Sequence, residues 1–220
     1  MKKRIIIIGL SNNAKLAAYY FQNDSIYEPV AFVVDPEYKT MESFFNLPVY
    51  TFSSIITDFP PNEFSAFVAV GYSKMNQTRA LLYNRTKEMG YQLVNYISSK
   101  ATILTTETMG DNNMILEDNT IQPFVSIGSN NVFWSGNHIG HDVKIGDHNF
   151  ISSHVVVSGF TEIGNYCFLG VNSTLRDSII ISDKTLIAAG AVVLQNTDPE
   201  DVCLSAKGTV MPKMSSKIKI

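Results

Sequence analysis

His141 is followed directly by Asp142, and this pair is the chain's clearest candidate for chemistry. A carboxylate beside an imidazole fixes its tautomer and stabilises its protonated form, which is what a general base requires. On spacing alone a solvated corner histidine is the better reading, so the elements that carry the pair must decide. The remaining histidines, His138, His148 and His154, crowd the same stretch. Zinc needs at least three convergent ligands. These histidines fall on differing faces of the repeat described below, and Cys167 and Cys203 lack paired ligand spacing, so no metal site is expected. Near the amino terminus, Gly9-Leu10-Ser11-Asn12-Asn13-Ala14 departs from G-x-G-x-x-G, so the dinucleotide fingerprint is missing. A strand–loop–helix unit there still presents helix N–H groups to a phosphate.

The histidines sit inside a six-residue repeat. One frame reads Ile103, Met109, Ile115, Ile121, Ile127, Phe133, Ile139, Ile145, Ile151, Val157, Ile163, Leu169, Leu175, Ile181, Ile187 and Val193. At an apolar background of 45%, an unbroken run of this length arises by chance about three times in a million. Glycine follows the apolar residue at 110, 128, 140, 146, 164 and 170, where corners are expected. Two residues before the apolar position stand Asn113, Asn119, Asn131, Asn137, Asn149, Thr161, Ser173 and Ala191. Asparagine tolerates left-handed backbone, so these positions are expected to form the tight corners. The pattern describes a β-solenoid in which three hexads make an 18-residue coil and the sixth positions stack inward; about five coils fit between 103 and 197. In that register His141, two residues after inward Ile139, projects outward at a corner, and Gly159 lies one coil further along. His148 and His154, each three residues after an inward position, also face outward, while Cys167 faces the interior or a corner.

The first hundred residues have a different rhythm. Strands are expected at 4–10, 29–35, 65–71 and 91–97, with helices at 13–22 and from Lys74 to Met89, the latter closed by Gly90. Continuous apolar strands alternating with helices imply a small parallel α/β sheet covered on both faces. Ligands of such sheets bind beyond the carboxyl ends of the strands. Those ends carry Gly9 to Asn13, Asp35 and Gly71-Tyr72-Ser73. The expected division is an α/β domain at 1–100 and the solenoid with its tail at 101–220. A net charge of −3 gives no electrostatic case for a nucleic-acid partner. The apolar run after Met1-Lys2-Lys3-Arg4 ends at Leu10, too short for a signal peptide or a membrane span, so a soluble cytoplasmic protein is expected. Two cysteines suit a reducing compartment.

The segments "IGHDVKIGDHNF" (139–150) and "TEIGNYCFLGVNS" (161–173) resemble the hexapeptide-repeat acyltransferases. The whole chain is similar to the bacterial nucleotide-sugar N-acetyltransferases and sialic acid O-acetyltransferases. The resemblance implies a left-handed parallel β-helix after a Rossmann-like nucleotide-binding domain, and a homotrimer with active sites between subunits. It further implies an acetyl-CoA-dependent N-acetyltransferase acting on a nucleotide-linked amino sugar for surface glycans. His141 would be the general base, Asp142 its orienting partner, and the Gly159 N–H the donor to the acetyl carbonyl, without a covalent acyl-enzyme. An O-acetyltransferase of a sialic-acid-like sugar and a non-catalytic trimeric scaffold are the alternatives.

Other positions follow from the same resemblance. Ser153, Asn172 and Lys207 are expected to bind coenzyme A. The segment Leu204-Ser205-Ala206-Lys207-Gly208 keeps only Ala206-Lys207 of the family's G-x-P-A-[KR]. Phe150 stands where family members often carry a second histidine, with His138 and His154 as partial substitutes. Gly9, Ser11 and Asn12 would lie near the nucleotide phosphate and Asp35 near base or ribose. Gly71, Tyr72, Ser73, Asn76 and Arg79 would form a third wall, Arg79 being either a phosphate partner or a solvated helix arginine. Trp134 either stacks on a sugar or nucleotide or serves packing, at a trimer interface or on the surface. By its own composition, the segment from Met211 to Met214 with the basic tail is expected to cover the end of the core or to remain mobile.

Overall fold

The computed structural model describes residues 2–208; the tail segment from Met211 lies outside the described residues. The amino-terminal part is built on β1 (Lys3–Ile8), β2 (Tyr27–Val34), β3 (Ser43–Phe44), β4 (Leu47–Thr51) and β5 (Ser65–Val68), in the order β3-β4-β2-β1-β5. All pairings are parallel except β3 with β4. The helices are α1 (Asn12–Asn23), α2 (Ile55–Asp58) and α3 (Gln77–Glu88). Ile6 and Ile8 point into a core with Ile55 and Tyr83. Ile5 and Ile7 point the other way, against Ala14, Ala17 and Phe21 of α1 and against Met114 and Leu116 of the solenoid. A run of four buried isoleucines is therefore a central strand covered on both sides, one cover being shared by a helix and the second half of the chain.

From Tyr96 the chain winds as a left-handed parallel β-helix. Two-residue rungs stack into three flat faces. The first holds Tyr96–Ile97, Met114–Ile115, Val132–Phe133, Phe150–Ile151, Phe168–Leu169, Leu186–Ile187 and Val202–Cys203. The second runs from Thr102–Ile103 through His138–Ile139 to Val192–Val193, and the third from Ser126–Ile127 through Lys144–Ile145 to Ile180–Ile181. Each rung pairs in parallel with the rung 18 residues on, as Phe133 does with Ile151. The frame residues from Ile115 to Val193 are buried, with Ile103 and Met109 partly so.

Three expectations are corrected. The segment 91–97 is no fourth strand: it touches the sheet in one bridge, Ala66 to Leu93, and then Tyr96–Ile97 becomes the first rung of the solenoid. Asn95 explains the switch, because its amide receives Asn113 N–H at 2.8 Å and donates to Gly110 O at 2.7 Å, starting the ladder 18 residues ahead of Asn113. Second, the asparagines two residues before the frame are not the left-handed corner residues. The left-handed positions lie one residue earlier, as at Asn112, Asn130, Asp142 and His148. The asparagines point inward and are buried, and Asn113, Asn131 and Asn149 each accept the N–H of the residue one coil on (2.9, 2.7 and 2.7 Å). Their Nδ2 groups donate to Gly128, Gly146 and Gly164 carbonyls at 2.8–2.9 Å. Third, Gly128 and Gly146 are needed for closeness between coils: a β-carbon there would lie 2.7 Å from the carbonyl oxygen of the next glycine in the column.

Asn131→Ala removes both rungs of that ladder and orphans a buried N–H and a half-buried C=O. It should lower stability by about 2–4 kcal/mol in chemical denaturation, and a loss below 1 kcal/mol would contradict the ladder's role.

Candidate active site

His141 and Asp142 occupy the corner between the second and third faces. His141 Nδ1 lies 2.9 Å from Asp142 Oδ2, and both side chains are about half exposed. A carboxylate at Nδ1 calls for the N–H there, leaving the Nε2 lone pair open. Neighbouring coils hold the backbone: His141 N–H donates to Gln122 Oε1 at 2.9 Å, and its carbonyl accepts Phe160 N–H at 3.0 Å. Gly159 stacks against the imidazole, where a β-carbon would be 3.0 Å from both Cε1 and Nε2. Its own N–H meets no acceptor among the described residues. His141, Asp142 and Gly159 are thus brought together at one exposed corner. Gln122 and Phe160 belong to the same cluster and were not singled out; positions 19 residues either side of His141 were the available signal.

Ser153 and Asn172 sit one above the other on a different corner, between the first and second faces, with Asn172 N–H on Ser153 O at 3.1 Å. His154 is exposed at that corner and His138 on the second face. Lys207 is exposed beyond the last rung. Cys167 is buried in the core, and burial pushes its thiol up to about 12, which removes it as a thiolate nucleophile. Among the described residues no group of His, Cys, Asp and Glu is placed to hold a metal.

A second cluster lies at the carboxyl ends of β1, β2 and β5. Gly9 has φ +125, which glycine alone takes easily, and Ser11 and Asn12 are exposed at the start of α1. Gly71 approaches so closely that a β-carbon would meet Asn13 Nδ2 at 2.7 Å. Asp35 forms an ion pair with Arg85 of α3, a partner the spacing did not reveal, and Arg85 also covers the Phe52 ring. Ser73 is exposed, and exposed Tyr72 leans on Phe150 and Phe168 of the first face, with ring centroids 4.9 Å apart in each case.

Asn76 and Arg79 do not face this crevice. Both are fully buried. The Arg79 guanidinium donates to the carbonyls of Asn130, His148, Asn149 and Gly71 and to Asn76 Oδ1, at 2.9–3.2 Å. Asn76 Nδ2 reaches Cys167 O at 3.0 Å. Lys74, Met75 and Asn76 are held left-handed, so α3 begins at Gln77 and not at Lys74. Arg79 is a clamp between the two parts of the chain, with no donor left for a phosphate. Phe150 and Trp134 also belong to this junction: Phe150 is buried beneath Tyr72, and partly buried Trp134 packs on the core of Phe21 and Tyr96. His148, outward of its coil as expected, is nevertheless covered by Tyr83 of α3 and by Tyr166, and bonded to Asn130 at 2.8 Å.

Residues 126–159 match the family model for the bacterial transferase hexapeptide (six repeats). Over that stretch the coils are similar to hexapeptide repeats of the bacterial transferase type. No curated protein matches the sequence. Among solved structures, the fold is similar to the acetyltransferase domain of PglB from Neisseria gonorrhoeae, at 21% identity and TM-score 0.81, over 91% of this chain and 96% of that one. That domain is also known in complex with acetyl coenzyme A (20%, TM-score 0.81, 92% and 96%). PerB from Caulobacter crescentus, in complex with CoA and GDP-perosamine, is similar at 21% identity and TM-score 0.79, over 90% and 92% of the two chains. Among the described residues no helix is long and apolar enough to cross a membrane.

The buried His148 generates a pH prediction. Burial is the main cause lowering its pKa from the usual 6.5, with Arg79 adding to it and Asp147 opposing. Its neutral form is favoured when folded, so the unfolded chain binds the extra proton and stability falls as pH drops below about 6.5 towards the folded value. His148→Gln should flatten that slope in denaturation midpoints measured between pH 7.5 and 5; an unchanged slope would contradict the assignment.

Proposed function

We propose that the protein is an acetyl-CoA-dependent N-acetyltransferase acting on a nucleotide-linked amino sugar. The observation that carries the reading is the His141–Asp142 pair, with Nε2 open beside the bare Gly159 backbone, on a fold similar to proteins whose structures contain acetyl-CoA, CoA or a GDP-sugar. Formation of an amide from a thioester requires a base for the attacking amine and donors for the carbonyl oxygen. In this reading the neutral amine attacks the thioester carbon while His141 Nε2 takes its proton. Asp142 holds the imidazolium through Nδ1, and the Gly159 N–H donates to the oxyanion. Collapse then expels the CoA thiolate, which His141 reprotonates. The chain's own buried thiol takes no part.

Nucleotide binding belongs to the crevice of Gly9, Ser11, Asn12, Asp35, Gly71, Tyr72 and Ser73. That crevice rides on the first face, whereas His141 stands on the opposite corner. A sugar anchored in one subunit therefore reaches the histidine of a neighbouring subunit, and a homotrimer of triangular prisms supplies that arrangement. Ser153, Asn172 and Lys207, remote from His141 in their own chain, remain the coenzyme-binding candidates of that assembly. In this reading the enzyme is cytoplasmic and works on soluble precursors of a surface glycan.

The test is CoA-thiol release from acetyl-CoA against UDP-, dTDP- and GDP-linked amino sugars, with free sialic acid as comparison. Turnover of one nucleotide amino sugar is expected, and activity confined to the free acid would replace amine by hydroxyl transfer. His141→Ala should lower kcat/KM by about 10²- to 10⁴-fold; wild-type turnover in that variant would remove the mechanism. Asp142→Asn, which leaves Nδ1 facing an amide, should cost about tenfold or more in kcat with little change in KM.

A further inference from the structure

Phe160 is a phenylalanine on an exposed corner where most coils carry a polar residue. Its backbone is left-handed, φ 59, at the corner position that most coils fill with a polar residue such as Asn112, Asp118, Asn130, Asn172 or Ser178, Phe124 in the same column being the other exposed phenylalanine. A β-carbon is disfavoured there, and an aromatic one gains nothing over asparagine. Nor does burial compensate, because the side chain is 56% exposed. Tyr166, a large residue in an equivalent position, is accounted for by its ring against His148. The ring of Phe160 instead lies edge-on to the imidazole of His141, with centroids 4.9 Å apart and planes at 89°. Its own N–H holds the His141 carbonyl at 3.0 Å.

We propose that Phe160 is a positioning residue for His141, its ring being the wall that keeps the imidazole over Gly159 with Nδ1 on Asp142 and Nε2 open. The proposal rests on His141 being the base. Three contacts then restrain the ring: Asp142 Oδ2 at Nδ1, the bare Gly159 backbone beside Cε1 and Nε2, and Phe160 against the remaining side. Asp142 alone leaves an exposed imidazole free to swing with its carboxylate; the aromatic wall removes that freedom before substrate arrives. Gln122 fixes only the backbone N–H of His141 and leaves the ring's rotation to Phe160.

The experiment compares wild type, Phe160→Asn, Phe160→Tyr and His141→Ala, using the full-length protein and the nucleotide amino sugar that wild type turns over. Phe160→Asn should keep or raise Tm, lower kcat about tenfold and leave KM for acetyl-CoA within about twofold. Phe160→Tyr should restore at least half of the lost kcat. In parallel, ¹⁵N-histidine NMR without substrate should find the Nδ1–H tautomer of His141 in wild type and a mixture in Phe160→Asn. Wild-type kcat together with an unchanged tautomer in Phe160→Asn overturns the proposal. A fall in Tm that tracks the fall in kcat, without rescue by tyrosine, also overturns it. Full activity in His141→Ala overturns the base assignment and the proposal with it, whereas an inactive His141→Ala beside a fully active Phe160→Asn overturns the proposal alone. Should no sugar in the panel turn over, the tautomer comparison decides.

Discussion

Every coil of the solenoid has to satisfy buried backbone groups with help from the coil 18 residues away. The rungs are two residues long, too short to make a sheet by themselves, and pair only because the same position recurs one turn later. Asn95, Asn113, Asn131 and Asn149 extend that pairing into the interior: each side-chain oxygen takes an N–H from the following coil. An amide buried without these bonds would cost more than the frame residue beside it gains, so asparagine at this place is tolerable only in register. The same spacing forces bare backbone at Gly128, Gly146 and Gly140, where a β-carbon would meet the next coil at about 2.7 Å. Coil height, corner backbone and inward chemistry are thus one constraint.

Docking of the α/β part depends on this regularity. The corner between the third and first faces offers carbonyl oxygens in a column, and Arg79 takes three of them from adjacent coils, Asn130, His148 and Asn149. Asn112 of the same column answers both the N–H and the C=O of Val68, closing the exposed edge of β5. Tyr83 and Lys87 of α3 meet Asp111 one residue earlier. A buried guanidinium facing carbonyls without a carboxylate gets its value from geometry: its fork matches oxygens whose spacing the coil repeat sets. Through Gly71 O the clamp also fixes the loop that bounds the crevice.

The solenoid was legible because its signal is periodic and its frame has no exception between Ile103 and Val193. The corner of His141, Asp142 and Gly159 followed from counting in sixes and eighteens. What counting did not reveal was side-chain destination. Asn113 and its kind look like turn formers, yet they are interior, since an amide pointing inward finds partners one coil away that no local rule supplies. Arg79 in "GYSKMNQTR" has the chemistry of a phosphate ligand, and only the approach of three carbonyls from residues 51 to 70 positions distant assigns it elsewhere. Strand β4 and helix α2 were missed because Leu47–Thr51 contains Pro48 and Ile55–Asp58 is a single turn. The segment 91–97 reads as a strand of the first domain; Asn95, in step with Asn113, was the unused clue.

One backbone conformation, the left-handed corner residue, recurs in three columns and is put to three uses. Between the third and first faces Asn112, Asn130 and His148 face the α/β part and are covered by it. Between the first and second faces Gly136 leaves room for His154 to lie across it, and the column stays open. Between the second and third faces Asp142 and Phe160 bracket an imidazole. The position takes small polar residues most readily, yet it also carries exposed Phe124, His154 and Lys184. At His148 the compensation for the left-handed backbone is burial under Tyr83 of α3, and at Tyr166 it is the contact with the His148 ring. Phe160 and Phe124 of the same column are both exposed, and Phe160 differs in setting its ring edge-on to the imidazole of His141.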